Sequence, residues 1–400
     1  MVENTLFAKR NASIDILRGL TMLLMVFVND LWTVGDVPHW MEHFDRLEDG
    51  MGLADIVFPM FLFAMGMSVP YAIERRFSKG YSGESTLGHI LSRTLTLIIM
   101  GVFIVNSEDA FDSTLGYGVS VYRLLMVAAF FLVWNSYPPG FKLKKYLQIC
   151  GLAVLGFLAF TFRNPDGGYF TSRWWGILGI IGWTYCFVAV VYLLARKSSS
   201  RIVWIWIGLC VLNLLTVRMR DGYHIMPRHT FFSDMAEALK LGNASFAVMA
   251  TGGMMVSIVE NMMTERRISG NRRLAAAFSV AAVLAVAAAV LHRWWIVSKL
   301  GGTLPWCLYV SSISLVVYAA LRLMESYGRT AWFRPLNASG TATLTVYMMP
   351  YILYSVSTIV GLHSPMWLCG LPGLLKCALF SLLCVAMTSL LVKSGIKLKV

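Results

Sequence analysis

Long apolar stretches recur along the whole chain, and this pattern restricts the fold more than any other feature of the sequence. They lie near residues 14–33, 53–72, 88–106, 119–137, 146–163, 175–195, 201–217, 242–260, 273–292, 304–323, 340–362 and 370–392. An α-helix needs about 20 mainly apolar residues to cross a bilayer core, whereas strands of an outer-membrane barrel alternate polar and apolar residues. The stretches therefore predict an all-α, polytopic transmembrane bundle of about twelve helices (roughly 10 to 12).

The composition leaves too few polar residues to cover a soluble domain of this size. Of the 400 residues, 57% are hydrophobic and only 14% are charged. The seven cysteines lie in apolar stretches without a CxxC pair, which is typical of small core residues and not of a disulfide framework. Because we find no internal repeat and no soluble segment, we predict a single transmembrane domain over residues 1–400.

Basic residues concentrate in every second connection between the apolar stretches. These clusters fall at residues 9–10, 75–79, 142–145, 196–201, 266–273, 329–334 and 393–399. The intervening connections include acidic loops at 36–49 and 107–112. The positive-inside rule then predicts cytoplasmic basic loops, two cytoplasmic termini and an outward loop at 36–49. This distribution also accounts for the formal charge of +13, so we expect a lipid bilayer around the chain and no nucleic acid.

The first apolar stretch carries a line of polar and sulfur-containing side chains. Asp15, Arg18, Met22, Met25 and Asn29 follow one another at spacings of three and four, which places them on one helical face. Arg18 and Asn29 are separated by about 16 Å at 1.5 Å per residue. Uncompensated polar groups at membrane depth are costly, so these residues are candidates for function.

The arginines of the spanning stretches allow two interpretations. Arg18 could form a structural ion pair with Asp15 one turn earlier, or its guanidinium could bind a phosphate group. Arg93 lies near the start of the third stretch, where its side chain could reach the membrane surface. Arg123 lies just inside the outer end of the fourth stretch, where we consider pairing with an acidic residue among Asp55, Asp109 and Asp112.

Two histidines follow the first stretch in the acidic loop. His39 and His43 are four residues apart, a spacing also found in zinc sites, but the surrounding acids are flexible and no cysteine is near, so we predict no metal. Asp30 precedes the loop and Asp55 follows it. A carboxylate beside an imidazole fixes its tautomer and raises its basicity, which suits general-base catalysis.

Two strings carry a resemblance to a known family: SIDILRGLTMLLMVFVND before the histidine loop and DGMGLADIVFPMFLFAMGMSVP after it. They resemble the transmembrane acetyltransferase family of heparan-α-glucosaminide N-acetyltransferase and its bacterial relatives. Later pieces such as VYRLLMVAAFFLVW and RPLNASGTATLTVYMMPY are similar too, although residues 13–66 are the most specific part. By this resemblance the family's catalytic asparagine falls on Asn29. Its catalytic histidine falls on His43, with His39 as the fallback because FDRLE separates His43 from Asp49–Gly50.

The resemblance implies a membrane acetyltransferase that moves an acetyl group from cytoplasmic acetyl-CoA to an amino sugar or glycan on the outer side. It also implies a bacterial inner membrane and leaves a homodimer open. We expect two groups of residues: His43, Asn29, Asp30 and Asp55 at the reacting groups, and Arg18, Asp15, Arg93 and Arg123 on the donor side.

Two other functions fit the same sequence. A secondary transporter of an amino sugar or related solute is the main alternative, and a non-catalytic assembly factor for envelope glycans is a third. Transporters place their site near the bilayer midplane, usually between broken helices. Here the polar residues cluster at one surface, which favours transfer chemistry.

Overall fold

A computed structural model of the protein describes residues 11–112, 115–225, 237, 241–362, 365 and 368–399. In these residues the regular structure is helical apart from one isolated bridge between Asn135 and Leu398, which confirms the all-α prediction. The α-helices are α1 (Ala12–Asp30), α2 (Leu53–Ser78), α3 (Gly83–Glu108), α4 (Val119–Trp134), α5 (Lys144–Thr161), α6 (Ile177–Ala195), α7 (Ser199–Thr216), α8 (Ser245–Glu265), α9 (Gly270–Leu291), α10 (Leu304–Ser326), α11 (Asn337–Thr341), α12 (Thr343–Val360) and α13 (Gly370–Lys393).

Each of the predicted apolar stretches coincides with one long helix. Ten helices in the described residues are long and apolar enough to cross a membrane, which confirms a polytopic helical bundle. The other two long helices, α4 and α5, do not meet both the length and the hydropathy expected of a membrane span. Helix α4 has 16 residues, and α5 carries Lys144, Lys145 and Gln148 in its first turns, which reduces its hydropathy.

The chain forms two compact units. The first contains Met1–Thr21, Pro38–Leu91 and Trp183–Arg334, and the second contains Met22–Val37, Ser92–Gly182 and Pro335–Val400. A single domain over residues 1–400 stays a prediction.

In the first unit, α2 and α8 pack closely because glycines face backbone atoms on both sides. A Cβ atom on Gly66 would lie 1.9 Å from the carbonyl oxygen of Ala250, and one on Gly253 would lie 2.1 Å from that of Phe63. Such small residues allow close packing of membrane helices where lipid supplies little hydrophobic driving force between them. Helix α2 is thereby fixed in place, together with the residues at its N-terminus.

The core of the first unit surrounds the buried indole of Trp306. Its neighbours include Val248, Met249 and Leu308, which are all buried. The indole Nε1–H donates to the carbonyl oxygen of Asp55 at 3.1 Å. This bond ties α10 to the first turn of α2.

In the second unit, α4 packs against α5 and α12, and α12 packs against α13. The C-terminal part of α3 meets the first turn of α6 through glycines, because a Cβ atom on Gly101 would lie 2.6 Å from the amide nitrogen of Gly179. Just after α4, Ser136 N–H donates to the carbonyl oxygen of Lys397, near the C-terminal end of the chain, at 2.9 Å. These contacts bring the last described residues back to the end of α4.

Candidate active site

The loop between residues 39 and 52 holds both histidines and is pressed against backbone at its end. Gly52 precedes α2, and a Cβ atom there would lie 2.0 Å from the carbonyl oxygen of Glu42. Gly50 N–H donates to the carbonyl oxygen of Val297 at 2.8 Å. The glycines of the string DGMG therefore let the loop return closely to the start of α2.

Asp55 lies in the first turn of α2 and its side chain is fully buried. Its Oδ2 accepts the backbone N–H groups of Gly52 at 3.1 Å and Phe44 at 3.0 Å. The contact with Gly52 is one half of a capping box, and a helix N-terminus favours a negative charge. The local sequence thus explains how a carboxylate is held ionised inside the protein.

The imidazole of His43 uses one nitrogen to contact this carboxylate. His43 Nδ1 lies 2.7 Å from Asp55 Oδ1, while half of the His43 side chain is exposed (50%). An ionised carboxylate only accepts hydrogen bonds, so Nδ1 carries the proton and donates it. The lone pair of the neutral ring is then on Nε2, which is the arrangement of a general base oriented by a carboxylate.

Lys299 completes this cluster and was not predicted from the sequence. Its Nζ lies 3.7 Å from Asp55 Oδ1 and 3.1 Å from His43 Nδ1. It also donates to the carbonyl oxygen of Ala54 at 3.3 Å. Burial lowers the pKa of Lys299, and the charge of Asp55 opposes that shift. Because Nδ1 already donates to Asp55, the ammonium balances the buried carboxylate. Among the described residues no hydrogen bond occupies Nε2, which is therefore available for chemistry.

His39 has a different environment. Its Nε2 lies 2.6 Å from Glu48 Oε1, and its ring stacks on Phe44 with centroids 4.3 Å apart. The hydrogen bond to Glu48 raises the pKa of His39, which favours the protonated ring. The structure therefore distinguishes the two histidines, since only His43 contacts the buried carboxylate of Asp55.

Asp49 fastens the histidine loop to the connection that carries Lys299. Its carboxylate lies 2.6 Å from an Arg220 nitrogen and 2.7 Å from His292 Nε2, and it accepts Val297 N–H at 2.9 Å. Burial raises the pKa of Asp49, but the bonds from Val297, His292 and Arg220 outweigh it and the net pKa is lowered. The loop is thereby held by charge-assisted bonds.

Asp30 lies in the second unit and has partners of its own. Its buried carboxylate accepts Lys376 Nζ at 2.9 and 3.0 Å and the Tyr354 hydroxyl at 2.5 Å. Lys376 also donates to the Thr33 hydroxyl at 2.6 Å. Asp30 and Asp55 were both considered as carboxylates that orient an imidazole, and Asp55 is the one that contacts His43. Asn29, next to Asp30, has an exposed side chain.

Arg18 forms the ion pair that the sequence offered as one interpretation. Its guanidinium lies 2.7 Å from Asp15 Oδ1 and donates to the Ser68 hydroxyl at 3.4 Å. Phosphate binding by Arg18 stays a prediction.

The two other predicted arginines, Arg93 and Arg123, both lie in the second unit but on different helices, α3 and α4. Arg93 is half-buried in α3, and because α3 begins at Gly83, it lies about 15 Å from the helix start and not near it. Arg123 donates to the carbonyl oxygen of Ser107 at 3.0 Å. Of its considered acidic partners, Asp109 pairs with Arg173. Their donor-side role stays a prediction.

No group of three or more histidine, cysteine or acidic residues suited to a metal ion occurs in the part of the chain that the structure describes. The fold and this cluster together define a polytopic helical membrane protein with a His–Asp–Lys site at the N-terminus of one of its helices.

Comparison with known proteins places the chain in a family. The family model "Domain of unknown function (DUF5009)" matches residues 10–220, which is more than half of the chain, so the protein belongs to this family. The residues that match the family model include α1, His39, His43 and Asp55.

Two curated proteins share a shorter segment. The chain is 39% identical over 99 residues to mouse (Mus musculus) heparan-alpha-glucosaminide N-acetyltransferase, which is 25% of this chain and 14% of the relative. It is 38% identical over 98 residues to the human (Homo sapiens) protein of the same name, or 24% of this chain and 14% of the relative. The similarity indicates a relationship to an acetyltransferase, and the match spans only a small part of the relatives' length.

Proposed function

We propose that this protein is a membrane acetyltransferase that transfers an acetyl group from acetyl-CoA to an amino sugar or glycan. The contact between His43 Nδ1 and the buried carboxylate of Asp55 is the observation that carries the proposal. It provides an oriented imidazole with a free Nε2, as acyl transfer by general-base catalysis requires. The partial identity to an N-acetyltransferase supports the same reaction.

In the proposed reaction, His43 Nε2 removes a proton from the acceptor amine or hydroxyl while that group attacks the thioester carbonyl. The carbonyl carbon forms a bond to the acceptor, and its bond to sulfur then breaks. The imidazolium returns the proton to the leaving CoA thiolate, so no oxidant or metal is consumed. Asp55 holds the imidazolium in its reactive orientation and stabilises its charge.

Asn29 is proposed to supply a side-chain amide to the oxyanion that develops on the thioester. Amide donors of this kind typically contribute a factor of about 10² to 10³ to catalysis. Asp30 adjoins Asn29, and its bonds to Lys376 and Tyr354 anchor the end of α1. We therefore assign Asp30 a positioning role and not a chemical one.

The donor is proposed to enter from the cytoplasmic side. The basic loops and Arg18 would receive its phosphates, with Asp15, Arg93 and Arg123 as further donor-side residues. The acceptor would then react at the outward loop that carries His43. This sidedness rests on the loop charges, and it is consistent with a bacterial inner membrane.

The test is acetyl transfer by the purified protein with radiolabelled acetyl-CoA and a panel of amino sugars. We expect labelled acetyl sugar from the wild-type protein and a loss of at least 10²-fold in His43→Ala. Asp45→Asn, which changes an exposed residue of the same loop, serves as a matched folding control. Transfer by His43→Ala at the wild-type rate would contradict the proposal.

A further inference from the structure

A long groove in the first unit lies outside the His43 site. It has a volume of about 660 Å³ and is bounded by α8, α9 and α10, with Phe63 and Trp206 at its inner wall. This volume lies within the range of about 300–1,000 Å³ that is typical of ligand pockets. The groove is therefore large enough to hold a ligand.

The groove exists because two consecutive helices diverge. Helices α8 and α9 are joined by only four residues, 266–269, and such short connections usually produce antiparallel neighbours in contact. Instead, α8 packs against α2, α7 and α10, while α9 packs against α10. Helix α10 forms the floor, and small residues such as Gly252, Ala276 and Ala277 line the walls.

Most of the groove is apolar and its rim reaches the surface of the bundle. Val259 on α8 is 51% exposed, and Val280 and Val283 on α9 are 48% and 66% exposed. In a bilayer these residues face acyl chains, so lipid can enter between the helices. Along α9 the groove extends from Gly270 to Ala287, about 26 Å at 1.5 Å per residue. One leaflet of the hydrocarbon core is about 15 Å deep, so an extended acyl chain fits.

One end of the groove is charged, and its carboxylates are already paired. Arg322 Nε lies 2.8 Å from Glu260 Oε1, and Arg322 Nη1 lies 2.7 Å from Glu325 Oε2. The hydroxyl of Tyr318 donates to Glu260 as well. Arg322 balances only one of these two negative charges. A second cation at this end, together with the exposed arginines on and beside the α8–α9 connection, makes the net charge positive.

Arg273 is that second cation. Its Nη1 donates to the Thr264 hydroxyl at 2.5 Å, and within the described residues its buried Nε has no hydrogen-bond partner. Arg266, Arg267 and Arg272 lie exposed on and beside the same connection. A buried donor without a partner is costly, so the protein does not fully satisfy this guanidinium. Because Arg273 lines the groove, an anionic group at the mouth of the groove would pair with its charge.

We propose that this groove binds an anionic phospholipid, with one acyl chain between α8 and α9 and the phosphate at Arg273. Basic pockets between transmembrane helices on the cytoplasmic side are suited to anionic head groups, and the predicted topology places residues 266–273 on that side. The inference is independent of the proposed acetyl transfer.

The test is native mass spectrometry of the full-length protein, titrated in detergent with phosphatidylglycerol or with phosphatidylcholine of the same acyl chains. We expect clearly tighter binding of phosphatidylglycerol. Arg273→Gln should weaken that binding about fivefold or more, since one basic residue contributes about 1 kcal/mol to anionic lipid binding. Arg201→Gln is the matched control on the same predicted side, and it should bind as the wild type does.

A second pair of variants tests the apolar part. Ala277→Phe fills the groove and should abolish phosphatidylglycerol binding, whereas Val286→Phe, on the same helix but outside the lining, should not. Equal binding of the two lipids, full binding by Arg273→Gln, or displacement of phosphatidylglycerol by acetyl-CoA would overturn the proposal. If Ala277→Phe does not fold, the Arg273→Gln titration decides the question alone.

Discussion

Replacement of Asp55 by asparagine should remove most activity without changing the size of the side chain. The carboxylate accepts His43 Nδ1–H at 2.7 Å and two backbone N–H groups, and it lies 3.7 Å from Lys299. Loss of a charge-assisted hydrogen bond costs about 1.5–3 kcal/mol, and each 1.36 kcal/mol is a factor of about ten in rate. The lost bond alone therefore predicts a decrease of about tenfold to a hundredfold.

The tautomer of His43 adds to this decrease. An asparagine can present its NH₂ group to Nδ1, which places the ring proton on Nε2 and removes the base. General acid–base catalysis contributes a factor of about 10²–10⁴ to the rate, so we expect kcat to decrease by a factor in that range. Loss of one partner from a buried charge pair also destabilises, by up to about 3–5 kcal/mol, and the variant should melt at a lower temperature.

The assay is the steady-state rate of acetyl transfer together with a thermal melt of each variant. Asp45→Asn is the matched control, because Asp45 is exposed in the same loop and should keep its activity and melting temperature. In the double variant His43→Ala/Asp55→Asn the rate should equal that of His43→Ala alone, since residues that act as a unit are not additive. A folded Asp55→Asn protein with more than half of the wild-type rate would show that Asp55 does not orient His43 for catalysis.

Three further predictions concern the same loop. His43→Ala should abolish transfer and His39→Ala should keep most of it, because only His43 contacts the buried carboxylate; steady-state rates that rank the two in the opposite order would contradict this assignment. Gly52→Ala should displace the loop and reduce kcat at least tenfold, because its Cβ atom would lie 2.0 Å from a carbonyl oxygen. Gly88→Ala, which meets no atom within 4 Å, should leave kcat unchanged in the same assay. The lowered pKa of Asp49 means that its contribution to stability is full above its ordinary value of 3.8 and is lost as the pH falls through the lowered value. As the pH falls, the melting temperature of the wild type should therefore decrease more steeply than that of Asp49→Asn. Parallel decreases would contradict a stabilising role of the Asp49 carboxylate.

The fold could be predicted because the spans depend on local properties of the sequence. Length and hydropathy alone identify helices such as α9 and α10. The helix ends were less accurate, since the first turns of α3 contain polar residues that a hydropathy criterion excludes. That error placed Arg93 near a helix start, although α3 begins at Gly83.

The candidate site could be predicted only in part. His43 and Asp55 are twelve residues apart, and a carboxylate at a helix start beside a histidine loop is a recognisable pattern. Lys299 is 256 residues from His43, and Lys376 is 346 residues from Asp30. Such contacts depend on tertiary packing. A signal was present nevertheless, because Lys376 lies in the interior of a helix whose other cation, Lys393, is its last residue, and a charge inside an apolar helix marks a functional or paired position.

The most direct test of the account is acetyl transfer across a sealed membrane. Proteoliposomes would contain an amino sugar inside, and radiolabelled acetyl-CoA would be added outside only. We expect labelled acetyl sugar inside the wild-type vesicles, free CoA outside, and neither product with His43→Ala. Movement of unmodified sugar across the vesicle membrane without any donor, together with no acetyl transfer, would contradict the account and favour a transporter.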